Sequence, residues 1–165
     1  MVSIPVGTFD SLVEIHKALV GDVYDFAGSL RTVELYKGGQ RFAPAQGLDQ
    51  AVKFAAIMAQ DSFDEIIEKF AHMNFAHPFR TGNGRTLRLW LDVMIAAKLE
   101  MLVDWSRIDI ESYKRATANC ATDARMLSAL IRGALTKKVG RSVFLRGIDG
   151  SFALDGLSKY SAEQL

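Results

Sequence analysis

Apolar residues in the first part of the chain recur at intervals of three and four: Leu12, Ile15, Leu19, Val23 and Phe26. That spacing lines up one face of a helix, and Gly21 is a point at which the run can split into two shorter helices. Residues 31–42, RTVELYKGGQRF, change the rhythm. Val33 and Leu35 alternate with polar neighbours, the pair Gly38 and Gly39 can supply positive φ angles, and Phe42 follows. The pattern predicts a short β-hairpin, which is marginal by itself and should lie as a flap against a helical body. Helix returns over 48–60. A further helix opens at Ser62, which with Glu65 has the spacing of a capping box. It should bury Phe63, Ile66, Ile67 and Phe70 and leave Asp64, Glu65, Glu68 and Lys69 in water, until Pro78 stops it. Residues 84–99 are apolar almost all round, the composition of a central helix covered by its neighbours. Two more helices should begin near Asp109 and Asp123, each with an acid suited to capping, and a last one around 152–160. The fold class is mainly α, a helical bundle with one small hairpin, in a single domain over 1–165.

Composition narrows the partners. A chain of 165 residues suits one core. A formal net charge of +1 argues against a general nucleic-acid or membrane-surface binder, so any anion recognition has to be local. Cys120 is the sole cysteine, which rules out an intrachain disulfide. The opening residues lack the layout of a signal peptide. The most apolar stretch, 89–103, is interrupted by Asp92, Lys98 and Glu100 and is too short to span a bilayer. A soluble, cytoplasmic protein is expected, and exposed apolar helix faces would allow a homo-oligomer.

Residues 77–88 read HPFRTGNGRTLR. Glycines on either side of Asn83 let the backbone turn with positive φ and let a ligand come close. The first amides of the following helix have no internal partners and sit at the positive end of its dipole, so residues 82–85 can cradle phosphate oxygens. Arg85 and Arg88, three residues apart, fall on one side of that helix and point back toward its mouth. His77 can act as a general base, since an ordinary imidazole titrates near pH 6.5. Each feature has an ordinary explanation as well: a loop before a helix, a structural histidine, an Arg88–Asp92 pair four residues apart. Their concentration at the mouth of an apolar helix favours a ligand, because charges on a buried helix are costly unless partnered.

The order of these residues resembles the Fic family signature, HPF-x-(D/E)-GNGR-x-x-R, at His77, Pro78, Phe79, Gly82, Asn83, Gly84, Arg85 and Arg88. Upstream, residues 15–33 resemble the family's N-terminal helix pair and residues 37–44 its flap. The resemblance implies a compact Fic-type helical bundle that transfers AMP from ATP to a hydroxyl of a target protein. Carried over, His77 would deprotonate the hydroxyl, and Asn83 with the amides around Gly82 and Gly84 would hold the α- and β-phosphates. Arg85 would support the phosphates and Arg88 would grip the γ-phosphate. The flap, with Val33, Leu35, Lys37, Gly38, Gly39 and Phe42, would align an unidentified target by strand addition.

Two departures matter. The family's acid that ligates Mg²⁺ is Thr81 here. A neutral hydroxyl is a poor substitute for a carboxylate toward a hard cation, so metal binding should weaken. The alternative to a working enzyme is therefore a catalytically impaired Fic protein that binds nucleotide or a partner. Gly84 argues against the family's phosphorylating branch. Residues 151–156, SFALDG, resemble the family's inhibitory motif (S/T)-x-x-x-E-(G/N). Ser151 and Gly156 match, while Asp155 is one methylene shorter than glutamate. The resemblance implies a C-terminal inhibitory helix over 150–160 whose acid pairs with Arg88 and inhibits partially.

Overall fold

The first helix, α1 (Phe9–Val20), starts at Thr8, whose side chain accepts from the Ser11 amide. It ends where the sequence carries Gly21, and the apolar repeat beyond it is not helical: Val23 is 72% exposed in the turns that follow. The computed structural model describes residues 4–37, 39–137 and 140–155. The hairpin is present but shorter than the alternation suggested, with β1 (Tyr36–Lys37) antiparallel to β2 (Gln40–Arg41). Gly39 carries the turn at φ +79°, and Gly38 lies outside the described residues.

Helix α2 (Leu48–Ile57) stops short of the expected Gln60, and α3 (Phe63–Ala76) opens on the Ser62–Glu65 capping box with both bonds formed. Phe63, Ile66, Ile67 and Phe70 face the core. Lys69 corrects the sequence expectation. It is buried, and its Nζ donates to Ala56 O (2.9 Å) and Met58 O (3.0 Å) at the C-terminal end of α2. A cation at the carbonyl end of a helix is favoured by the helix dipole and satisfies orphaned acceptors.

Helix α4 (Asn83–Leu99) runs through the middle, packed by α1 and α3, with Leu87, Trp90, Leu91, Met94 and Ile95 fully buried. After it come β3 (Leu102–Val103), α5 (Ile110–Ala118), α6 (Arg125–Ala134), β4 (Leu135–Thr136) and α7 (Arg141–Ala153). Asp109 caps α5 as expected, accepting from the Ser112 amide. The antiparallel pairing of β3 with β4 had no signal in the sequence, because two-residue strands carry no period.

Among the described residues the last helix is α7, which starts earlier than the expected 150–160 and covers its first residues. Residue 154 begins a turn, and residues beyond 155, Gly156 among them, lie outside the described residues. Gly147 and Gly150 are poor helix formers, yet α7 needs them. A Cβ on Gly150 would stand 2.6 Å from the Ser106 amide nitrogen, so only glycine lets α7 press on the turn at Trp105–Arg107. Among the described residues no helix is long and apolar enough to cross a membrane.

Candidate active site

The turn between α3 and α4 is built by three interlocking devices. Gly82 takes φ +73°, which reverses the chain just ahead of α4. Asn83 is buried and locks the turn: its Oδ1 accepts from the Phe79 amide (2.8 Å) and its Nδ2 donates to Phe79 O (2.6 Å). The Asn83 side chain is thus spent within the turn, which leaves its backbone amide for the phosphate contact expected of this residue. The third device is His16, which sequence reasoning missed. Its Nδ1 accepts from the Gly28 amide (2.8 Å), which fixes the proton on Nε2, and Nε2 donates to Thr81 O (3.0 Å). The ring lies flat on Phe79 at 3.8 Å. Burial holds the His16 pKa below its ordinary value, in keeping with a neutral ring.

What this turn leaves for a ligand is backbone. The Thr86 amide bonds to Gly82 O (3.1 Å) as the first link of the helix, and no side chain caps the N-terminus. The amides of Asn83, Gly84 and Arg85 thus open α4 with no capping acceptor, the arrangement that binds anions.

His77 closes α3 in a left-handed conformation at φ 48°, an unfavourable backbone for a residue with a Cβ. Its ring stacks on Phe42 at 3.8 Å, and its Nδ1 lies 3.0 Å from Asn74 O. A carbonyl only accepts, so Nδ1 carries the proton and Nε2 keeps its lone pair. Burial lowers the pKa to about 4, against the bond to Asn74 that raises it, with Lys37 and Arg31 adding to the fall. The ordinary value assumed from sequence does not hold. The ring is neutral throughout the physiological range.

Arg31, also missed, joins this histidine to the flap. Its buried guanidinium donates to His77 O (2.8 Å), Ala76 O (3.0 Å), Val33 O (2.7 Å) and Ala43 O (2.6 Å). The end of α3 and both feet of the flap are thereby held by one side chain. Truncation leaves four acceptors short of a donor. Arg31→Ala should lower the unfolding free energy by about 2 kcal/mol in urea titrations, with Arg31→Lys recovering only part of it.

These pieces border one cleft of about 370 Å³, lined by Leu35, Tyr36, Lys37 and Phe42 from the flap, His77, residues 80–85 and Asp155. Tyr36 and Arg80 are lining residues that the sequence reading did not single out. Val33 and Gly39 do not line it; Gly39 borders a separate cleft on the other side of the flap.

Arg88 is 1% exposed and enclosed by α7. Its Nε donates to Ser151 Oγ (2.6 Å), and its Nη2 to Ser151 O (2.8 Å) and Asp155 Oδ2 (2.6 Å). The guanidinium also lies 5.6 Å from the Tyr113 ring centre. Arg85 reaches the same carboxylate at 3.6 Å and lies over Phe152. Asp155, though shorter than glutamate, spans the gap. The ordinary Arg88–Asp92 pair is not what forms. Asp92 Oδ2 accepts from Trp105 Nε1 (2.9 Å), its Oδ1 has no partner, and burial pushes its pKa up to about 7.

Comparison with known proteins agrees with this geometry: the Fic/DOC family pattern matches residues 7–95. The chain belongs to the Fic/DOC family. It is 32% identical over 142 residues to the protein adenylyltransferase VbhT of Bartonella schoenbuchensis, covering 78% of this chain and 29% of that protein. It is 28% identical over 138 residues to the probable protein adenylyltransferase Fic of Salmonella typhimurium, covering 76% of this chain and 68% of that protein. The fold matches BepC of Bartonella tribocorum, solved with bound AMPPNP, at a TM-score of 0.67 and 20% identity over 83% of this chain and 79% of that one. A Fic domain from Bartonella quintana with bound ADP matches at 0.67 and 21% identity, over 87% and 79%.

The Fic signature implies magnesium, and the residues present do not fit it. Mg²⁺ is usually held by one or two carboxylates. Asp155 is the sole carboxylate among the described lining residues, and it is already paired with two arginines. Among the described residues there is no cluster of three His, Cys, Asp or Glu that could hold a metal.

Proposed function

We propose that this Fic chain is a protein adenylyltransferase, taking ATP as substrate and a hydroxyl side chain of a protein docked at the flap as acceptor, and restrained by α7. The observation that carries this reading is the pairing of a neutral His77, with a free Nε2 on the cleft, and an uncapped α4 N-terminus in the same 370 Å³ space. The names of the relatives and the nucleotides bound to the two structural neighbours support it.

In this reading the polyphosphate lies along the amides of residues 83–85. Nε2 takes the proton of the acceptor hydroxyl, and its oxygen attacks the α-phosphorus. The bond between the α-phosphorus and the bridging oxygen to the β-phosphorus breaks, and pyrophosphate leaves. Its growing charge falls on the helix N-terminus and Arg85. The flap and the rigid turn supply alignment, the larger part of such catalysis. With Asp155 on Arg88, the position for a terminal phosphate is taken, so α7 and the triphosphate compete for one guanidinium.

Incubation with cell lysate and ATP labelled at either the α- or the γ-phosphorus tests this. Label on protein is expected from the α position alone. Label from γ would mean phosphoryl transfer. ATP binding with no label from either would favour the impaired, nucleotide-binding reading that Thr81 raises.

A further inference from the structure

The cleft offers phosphate many partners and a metal ion almost none. Lys37, Arg80 and Arg85 line it, and Arg88 stands just behind, its Nη1 3.1 Å from where a Gly84 Cβ would lie. Apart from the neutral Thr81 and Tyr36 hydroxyls, the side-chain and carbonyl oxygens that could serve are committed. Thr81 O accepts from His16, Asn83 Oδ1 from the Phe79 amide, and Asp155 Oδ2 from Arg88. If the triphosphate displaces Asp155, as the reading above requires, the described lining keeps three basic side chains, with Arg88 behind them, and loses its one carboxylate. A divalent cation would then find no protein carboxylate and only the phosphates themselves as anionic ligands.

We propose that this cleft takes its nucleoside triphosphate as the free polyanion, with Arg80 and Lys37 supplying the counter-charge that a magnesium ion would otherwise bring. The inference rests on the nucleotide reading above and adds the ligand's form to it. Arg80 directly precedes Thr81, so a cation stands one residue from the position where the signature has an acid. Its guanidinium is held 5.7 Å from the Phe26 ring centre, at the rim of the cleft, where it can reach phosphate without being buried. Lys37 sits on β1, on the flap side of the same space. Two basic groups on opposite walls can neutralise a polyphosphate chain between them, and each gains charge-assisted hydrogen bonds that no metal has to organise.

The test is ATP binding to the full chain and to its Asp155→Ala variant by calorimetry, in excess EDTA and in excess Mg²⁺. Affinity is expected to be equal within about threefold in the two conditions, or higher in EDTA. Arg80→Ala should weaken binding in EDTA by roughly three- to tenfold. Thr81→Glu should weaken it in EDTA by about tenfold and make added Mg²⁺ restore it. Circular dichroism on each variant separates loss of fold from loss of contact. Binding by the parent that rises tenfold or more with Mg²⁺, or indifference to Arg80→Ala, overturns the inference and leaves the nucleotide reading standing. Absence of ATP binding in both conditions removes that reading and this one together.

Discussion

Asp155→Ala is expected to raise both ATP affinity and label transfer by on the order of a hundredfold. Arg88 spends three charge-assisted hydrogen bonds on Ser151 and Asp155 in the resting chain, and Arg85 shares the carboxylate. A triphosphate has to break the contact with Asp155 before it can use the guanidinium, and the cost of opening multiplies the apparent dissociation constant. The substitution removes that competitor and leaves Ser151 to orient the arginine. It also strands a buried cation, so the variant should unfold more easily without nucleotide and recover on adding ATP. Unchanged affinity and unchanged labelling, in a variant that folds, would mean that α7 is packing and nothing more.

His77→Ala is expected to lower transfer by roughly a hundred- to ten-thousandfold while ATP binding changes little. The argument is geometric. Asn74 O fixes the tautomer and Phe42 fixes the ring plane, so the free nitrogen is held ready before any substrate arrives. Its pKa of about 4 adds a second mark. The ring becomes a base as pH rises through about 4, so its contribution to the rate should be flat from pH 6 to 8. A histidine with the ordinary value of 6.5 would instead give a half-rise near that pH. Stability follows with the same sign. The folded chain binds the His77 proton less tightly than the unfolded chain does. The stabilisation is therefore complete above about 6.5 and is lost as pH falls toward about 4. Urea unfolding of the parent across that window should show it, and His77→Ala should remove it from the slope. His16, also held neutral by burial, contributes in the same direction. Asp92 works the other way over the same window, since a carboxyl raised from 3.8 to about 7 loses stability as pH rises between those values. The His77 contribution is therefore read from the difference between the parent and His77→Ala.

What the sequence could show follows from how far apart the interacting groups lie along the chain. Residues 77–88 are consecutive, so their order carries the turn, the helix mouth and the position of the base. The helices around the core were legible because burial repeats at their own period, as at Phe63, Ile66, Ile67 and Phe70. Arg31 and His16 were not, because each acts over long range: Arg31 on carbonyls 45 and 46 residues away, His16 on one 65 residues away. A polar side chain within an otherwise ordinary segment gives no local sign of that. Lys69 misled for a related reason. Its helical position looked solvent-facing, while the end of α2 supplied a polar pocket inside the bundle. The smallness of Gly147 and Gly150, which seats α7 on residues 105–107, has no local signal either. Asn83 illustrates the limit of a motif: its presence in the signature says that the residue matters, and the hydrogen bonds to Phe79 say for what.

A crystal structure of the Asp155→Ala variant with a non-hydrolysable ATP analogue addresses the account most directly. The phosphates are expected along the amides of residues 83–85, with the terminal phosphate on Arg88 and the α-phosphate facing His77 Nε2 across room for one hydroxyl. A nucleotide seated elsewhere, or seated here with Arg88 still folded onto Ser151 and no phosphate near it, would contradict the account.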